Sequence, residues 1–272
     1  MQTGNIVIFY FVLNLVVGWF ASTKVHTSTD FVLAGRTLSW GLATMVTFAT
    51  WFGSETLLGS PREFVHGGLY AVIEEPFGAA LGLFIVGAIY ARKLYPLPVL
   101  TFSDYFRIRF GAVSEKISAL VMIPSYFGWI SAQLVALGLT LHLLLPISTE
   151  LGIVIGALIV MTYTLMGGMW SISITDFLHN IILIIGLIIL AYFLLDKIPD
   201  LGKFIDQQPK GFFRFTPLQN TWLEWLKYIG AWIVIGLGSI PQQDIFQRVM
   251  SAKSGPIAAK ASIAAGTMYI TI

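Results

Sequence analysis

Apolar runs of about 20 residues, the length that crosses a hydrocarbon core about 30 Å thick, recur along the whole chain and restrict its fold more than any other feature. They lie approximately at 5–21, 40–60, 69–91, 117–145, 151–169, 175–195, 222–246 and 257–272. With 56% hydrophobic residues, 11% charged residues and a mean hydropathy of +0.80, the 272-residue chain has too little polar surface to cover a water-soluble globule. The sequence therefore predicts an all-α integral membrane protein, one transmembrane domain over 1–272 whose main solvent is the lipid bilayer. The first run has no basic segment before it and no small-x-small cleavage pattern after it, so it reads as a retained helix rather than a signal peptide. The chain contains no cysteine, which excludes disulfides. A net charge of +2 gives no reason to expect nucleic acid as a partner.

Basic residues are retained on the cytoplasmic side of membrane spans, and their placement sets the expected orientation. With the N-terminus outside, the cytoplasmic segments hold Lys24, Arg36, Arg92, Lys93, Arg107, Arg109, Lys116, Arg248, Lys253 and Lys260, ten of the sixteen Lys and Arg. The expected placement is multi-pass in the cell membrane, N-terminus outside. The long connection 196–221 carries "QQPKGFFRFTPLQNTW", whose aromatic and proline residues predict an ordered loop against the membrane interface.

Two of the spans are irregular. "FATWFGSETLLGSP", from Phe48 to Pro61, places a glutamate, two glycines and a proline inside a membrane run. A carboxylate at the centre of a span costs about 2.5–3.5 kcal/mol, so Glu55 needs a partner, a proton or water. Gly53, Gly59 and Pro61 weaken the helix on either side of it. "GLGSIPQQDIFQRVMSAKSG", from Gly236 to Gly255, has the same character. Interrupted backbone at membrane depth is tolerated where it lines a cavity, and paired interruptions point to a transporter's binding site. A plain kink, with Glu55 reaching water at the interface, is the alternative reading of the first interruption.

Four blocks then carry a family resemblance: "LAGRTLSWGLATMVTFATWFGSETLLG", "LTFSDYFRIRFG", "YTLMGGMWSISITDFLHN" and "IPQQDIFQRVMSAKS". In order and spacing they resemble the sodium:solute symporter family, and "ATWFG", "YTLMGG" and "GSIPQQDIFQRV" are most similar to its high-affinity choline transporter branch and bacterial relatives. The resemblance implies an inverted-repeat transporter fold with broken helices: one extra N-terminal helix, the first five-helix repeat and the start of the second. It implies that the chain is the N-terminal part of a longer protein. The implied function is sodium-coupled symport, by alternating access, of a small organic solute, either a quaternary ammonium or an amino-acid-like compound. A transporter-like solute-sensing domain of a sensor kinase is the alternative.

Residue by residue, the resemblance puts a sodium ion, the only expected metal, on the backbone carbonyls of Ala49 and Phe52, with hydroxyl ligands from a later helix. Asp176 matches an aspartate on the inward ion-release path. Trp51 and Trp129 match two tryptophans that enclose a quaternary ammonium group. Cation–π attraction contributes about 0.5–2 kcal/mol at such a site. Gln242 stands at the third position of that cage, and Glu55 stands where the choline branch has a small residue. Glu55 therefore pairs with a substrate cation, binds a proton or joins another helix. His179 occupies a position where the family often has glutamine.

Other polar residues read as structural. Glu74 and Glu75 are expected to cap a span or meet water, Asp244 and Arg248 to pair within one helix at i,i+4 spacing, and His66 and His142 to stand alone without metal-ligand spacing. With no phosphate loop, nucleophile elbow or HExxH, no enzyme chemistry and no cofactor beyond the coupling ion are expected. Substrate-binding expectations thus rest on Trp51, Glu55, Trp129 and Gln242. The sequence is silent on oligomeric state.

Overall fold

A computed structural model describes residues 2–198 and 200–272. Among them the regular structure is helical. α1 (Gln2–Ser22) is the first crossing, and α2 (Ser28–Leu33) is a short helix set by a capping box between Thr27 and Asp30. Asp30 accepts hydrogen bonds from the Thr27 hydroxyl (2.8 Å) and amide (2.9 Å), which hold its carboxyl below the ordinary carboxylate range.

α3 (Trp40–Trp51) stops at Phe52, whose backbone (φ −75°, ψ 79°) leaves the helical region. A wide π-helical turn, Glu55–Gly59, leads into α4 (Ser60–Ala71), with Pro61 in its first turn, where a missing amide costs nothing. α4 bends at Gly68 (φ 69°), a backbone conformation suited to glycine, and there the Leu69 amide donates to the Phe212 carbonyl at 2.7 Å. Phe64 stacks edge-on against Phe212 (5.1 Å), and Phe215 lies edge-on to both Phe77 and Trp232. The aromatic segment 212–215 of the connection 196–221 is thereby packed against α4, the turn that follows it, and Trp232.

A second wide turn, Ile73–Gly78, a helix α5 (Ala79–Ile85), a third wide turn, Val86–Tyr90, and α6 (Ala91–Leu94) together form one crossing. α7 (Phe102–Phe110) begins at another capping box, Thr101 with Asp104, and α8 (Ala112–Leu144) is a continuous span that starts earlier than its apolar run.

The largest departure from the sequence reading is α9 (Thr149–Leu195). The sequence reads as two runs, 151–169 and 175–195, and the structure joins them through 170–174 into one helix. Its 47 residues would stretch about 70 Å if straight, more than twice the hydrocarbon thickness. The helix instead bends at Gly168 (φ 50°, ψ −135°), beside Phe31. Two of the polar residues after the bend bond back to the preceding turn: Ser173 donates to the Met169 carbonyl (2.6 Å) and Thr175 to the Ser171 carbonyl (3.0 Å), which lets both be buried within a helix.

After the short α10 (Leu201–Asp206), α11 (Trp222–Gly236) ends at an irregular stretch, and α12 (Gln243–Ser251) resumes beyond it, further along than the apolar run indicates. Ile245, Phe246, Val249 and Met250 are buried on one side of α12, so amphipathic packing rather than uniform hydropathy carries this half-helix. α13 (Gly255–Thr271) follows. α3 packs against α9 and α13, and Phe48, Phe52 and Tyr269 join in an aromatic cluster with ring centroids 4.6–5.6 Å apart. A parallel bridge, with Leu38 donating to the Ser251 carbonyl (3.0 Å) and Lys253 to the Leu38 carbonyl (2.9 Å), ties the approach to α3 to the end of α12. The two interrupted spans are therefore joined at one end and adjacent at their breaks.

Candidate functional site

At the first break the backbone gives up its helical hydrogen bonds. The Gly53 amide, which would close on Ala49 in a continuing helix, donates instead to the Trp51 carbonyl at 2.8 Å. The Ser54 amide donates to Gln133 Oε1 on α8 (3.2 Å) rather than to Thr50. Among the described residues the Ala49 and Phe52 carbonyls receive no backbone hydrogen bond. Free carbonyls of this kind are hard, uncharged ligands suited to a small monovalent cation. Gln133 was not anticipated from the sequence. A Cβ on Gly53 would lie 3.0 Å from its amide oxygen, so a glycine at that position lets the amide approach.

Beside the break is a cavity of about 220 Å³. The four residues expected to touch substrate, Trp51, Glu55, Trp129 and Gln242, all line it, although they come from α3, the wide turn after it, α8 and the start of α12. Six residues that the sequence did not place at the site also line it, Glu75, Ser125, Tyr126, Ile235, Ser239 and Asp244. Tyr126 lies one turn before Trp129 on α8, with ring centroids 6.5 Å apart.

Asp244 corrects a local expectation. It makes no ion pair with Arg248 among the described residues. Its Oδ2 accepts from the Trp51 indole N–H (3.0 Å) and its Oδ1 from the Tyr126 hydroxyl (2.9 Å), while its amide donates to that hydroxyl at 3.2 Å. One carboxylate thus holds α3, α8 and α12 together at the wall of the cavity. Arg248 reaches the other way, donating through Nε to Thr50 Oγ1 at 2.8 Å. Trp51 is further seated over Gly82: a Cβ there would meet the indole at 3.4 Å and the Gly236 carbonyl at 2.9 Å. The glycine pair Gly82 and Gly236 allows α5 to lie close against the second break.

Glu75 corrects a second expectation. It neither caps a helix nor merely meets water: its Oε1 accepts from the Thr56 hydroxyl (2.6 Å) and the Tyr269 hydroxyl (2.7 Å), linking the first interrupted span to α13. Glu55, by contrast, has no hydrogen bond or ion pair to its carboxylate among the described residues. Glu55 and Glu75 also wall an adjoining cavity that holds Glu63 and Glu74.

Asp176 is placed away from this constellation. It lies on α9 with no hydrogen-bond or ion-pair partner among the described residues, one turn before Asn180, which donates to the Met45 carbonyl of α3 at 2.7 Å. His179 Nε2 is 2.8 Å from Asn14 Oδ1 on α1, so it fastens the extra N-terminal helix. His142 Nδ1 meets the Ile147 carbonyl (2.6 Å) at the end of α8, and His66 is exposed. Among the described residues no cluster of three His, Asp or Glu forms a metal centre.

Comparison with known proteins places this geometry. The chain is 29% identical over 280 residues to the high-affinity choline transporter 1 of Caenorhabditis elegans, an alignment that covers 96% of the chain and 46% of that relative. The corresponding Drosophila melanogaster protein is 30% identical over 257 residues, with 92% and 40% covered. The sodium/glucose cotransporter 1 of Mus musculus is 28% identical over 210 residues, with 76% and 31% covered. The chain therefore spans about half the length, or less, of these curated relatives, which are transporters. Its fold superimposes with a TM-score of 0.82 on a Na+-coupled sialic acid symporter in a substrate-bound outward-open state, at 20% identity, over all of this chain and 58% of the other. The all-helical, broken-helix architecture expected from the sequence is thus the fold observed, and it is similar to that of the symporter. Since the profile of sodium:solute symporters matches residues 31–272, the chain belongs to the sodium:solute symporter family.

Proposed function

We propose that this chain is the N-terminal portion of a sodium-coupled symporter that carries a small organic cation by alternating access. The observation that carries the reading is the adjacency of two features at one break: carbonyls released from helical bonding at Ala49 and Phe52, and an aromatic, acidic cavity built around Trp51 in the same segment. An ion held at Ala49 and Phe52 fixes the backbone from which Trp51 projects, so sodium and solute favour the same conformation, which is what coupling requires.

The roles divide as follows. The Ala49 and Phe52 carbonyls supply part of the sodium coordination. Trp51, Trp129 and Tyr126 offer aromatic faces to a cation. Asp244 orients Trp51 and Tyr126, Gln242 offers an amide at the second break, and Asp176 lies on the inward route of the ion. The cell membrane is the proposed location, with the N-terminus outside. Among the described residues the cavity lining holds no Lys, Arg or His, which favours a cationic solute over an anionic one.

The test is uptake of labelled choline, betaine, proline, ethanolamine and a short monocarboxylate into proteoliposomes of the full-length protein, with and without an inward sodium gradient. Sodium-dependent uptake of a cationic member, lost in Trp51→Ala, is the expected result. Solute binding without uptake contradicts symport and favours a sensing role.

A further inference from the structure

Taking the cavity as the solute site, an accounting of its carboxylate oxygens narrows the chemical class of that solute. Asp244 has both oxygens occupied, by the Trp51 indole and the Tyr126 hydroxyl. Glu75 has Oε1 occupied twice, by Thr56 and Tyr269, and Oε2 without a partner. Among the described residues, Glu55 has neither oxygen occupied. The cavity therefore presents aromatic faces from Trp51, Trp129 and Tyr126, and opposite needs: the two oxygens of Glu55 and Glu75 Oε2 lack donors.

A quaternary ammonium is well held by aromatic faces but has no N–H to give. Seated in this cavity it would bring methyl groups against Glu55, an exposed residue, and Glu75, a half-buried one, and so displace part of their water without supplying donors in its place. A protonated primary or secondary amine meets both demands, with charge toward the rings and N–H groups toward the glutamates. A site with acceptors of this kind discriminates strongly against an analogue that lacks the donor. A zwitterion fits less well. The positive end of α12, where an anionic group would be received, carries Asp244 in its first turn, and its amide and both carboxylate oxygens are already engaged.

We infer that the solute is an organic cation bearing N–H donors, a primary or secondary ammonium rather than a quaternary one, and that Glu55 is the residue that selects for it. The inference rests on the symporter reading of the site, but selectivity among cations and coupling to sodium are separable properties.

The experiment is isothermal titration calorimetry of the full-length protein in nanodiscs with ethanolamine, N-methylethanolamine, N,N-dimethylethanolamine and choline, in sodium buffer and again in potassium buffer. The series removes one N–H at a time and adds apolar surface, so hydrophobic contact alone ranks it in the opposite order. The expected result is weaker binding at each methylation, with ethanolamine ahead of choline by about tenfold or more, as a lost charge-assisted hydrogen bond requires. Glu55→Gln has no protein partner to lose, so it should fold normally and shrink the ratio to about threefold or less. Glu55→Asp, which keeps the charge, should restore part of it. Choline binding as tightly as ethanolamine, an unchanged ratio in Glu55→Gln, or no binding of any member by a protein that still shows a sodium-dependent thermal shift each overturns the inference. Equal affinities in sodium and potassium count against sodium coupling and leave the N–H ranking standing. Choline preference with sodium dependence intact counts against this inference alone.

Discussion

Replacing Asp244 by Asn removes one charge and one acceptor from the wall of the cavity while keeping its shape. The carboxylate receives two side-chain hydrogen bonds, from Trp51 at 3.0 Å and Tyr126 at 2.9 Å. Indole N–H is a donor only, so the Asn carbonyl must turn toward Trp51, and its amide then faces the Tyr126 hydroxyl, whose proton is left without its acceptor. A hydrogen bond to a charged group contributes about 1.5–3 kcal/mol. At 1.4 kcal/mol per decade, the predicted loss of solute affinity is about 10- to 150-fold if the bond acts by holding the aromatic wall in place. The discriminating assay is a double-mutant cycle of Asp244→Asn with Trp51→Phe, read by titration calorimetry of the full-length protein. Phe keeps an aromatic face and lacks the donor, so once Trp51 is Phe the Asp244 substitution should cost much less. A coupling energy of about 1 kcal/mol or more is expected, within the range seen for residues in direct contact. Additivity within about 0.5 kcal/mol, or wild-type affinity in Asp244→Asn, refutes the idea that Asp244 positions Trp51.

Three further outcomes follow from the packing. Gly82→Val should destabilise by about 1–3 kcal/mol through overpacking, because its Cβ would stand 2.9 Å from the Gly236 carbonyl and 3.4 Å from the Trp51 indole; a lowered unfolding midpoint accompanied by weaker solute binding is the expected pair of results, and an unchanged midpoint contradicts it. Tyr269→Phe deletes one of the two donors to Glu75 Oε1 and should lower stability by about 1.5–3 kcal/mol, whereas Tyr192→Phe, at a residue 72% exposed, should be neutral in the same thermal melts. The Asp30 carboxyl is held below its ordinary 3.8, first by the Thr27 hydroxyl, so the α2 cap is fully formed at neutral pH and is lost as pH falls through the lowered value; hydrogen exchange at the Thr27 and Phe31 amides, corrected for intrinsic rate, should rise in acid, and Thr27→Val should raise it already at pH 7.

What the sequence made legible is what hydropathy and local backbone chemistry encode. Run length places the spans, and the glycine and proline residues around Glu55 and Ser239 mark both breaks, because a helix cannot continue there without losing its own hydrogen bonds. The resemblance then named four residues, Trp51, Glu55, Trp129 and Gln242, that the fold brings to one cavity. The partners of these residues were not legible. Trp51 and Asp244 are separated by 193 positions, and Glu75 and Tyr269 by 194, so only the packed helices make them neighbours. Judged by local spacing, Asp244 belongs to Arg248; in the fold the tertiary donors on α3 and α8 claim it. The gap at 170–174 between the two apolar runs stays helical, with the Ser173 hydroxyl bonded to the preceding turn, and the change of direction falls on Gly168, where only the backbone dihedrals reveal it.

In the proposed function, sodium and solute bind to the same broken segment and therefore strengthen one another. The direct measurement is the solute dissociation constant of the full-length protein over a sodium titration at constant ionic strength, with the sodium affinity measured in turn at zero and saturating solute. The account predicts that each ligand tightens the other by the same factor, about 5- to 150-fold, as a coupling of 1–3 kcal/mol gives, and that Trp51→Ala abolishes the reciprocal effect while leaving sodium binding in place. A solute affinity that is the same in sodium as in potassium contradicts it.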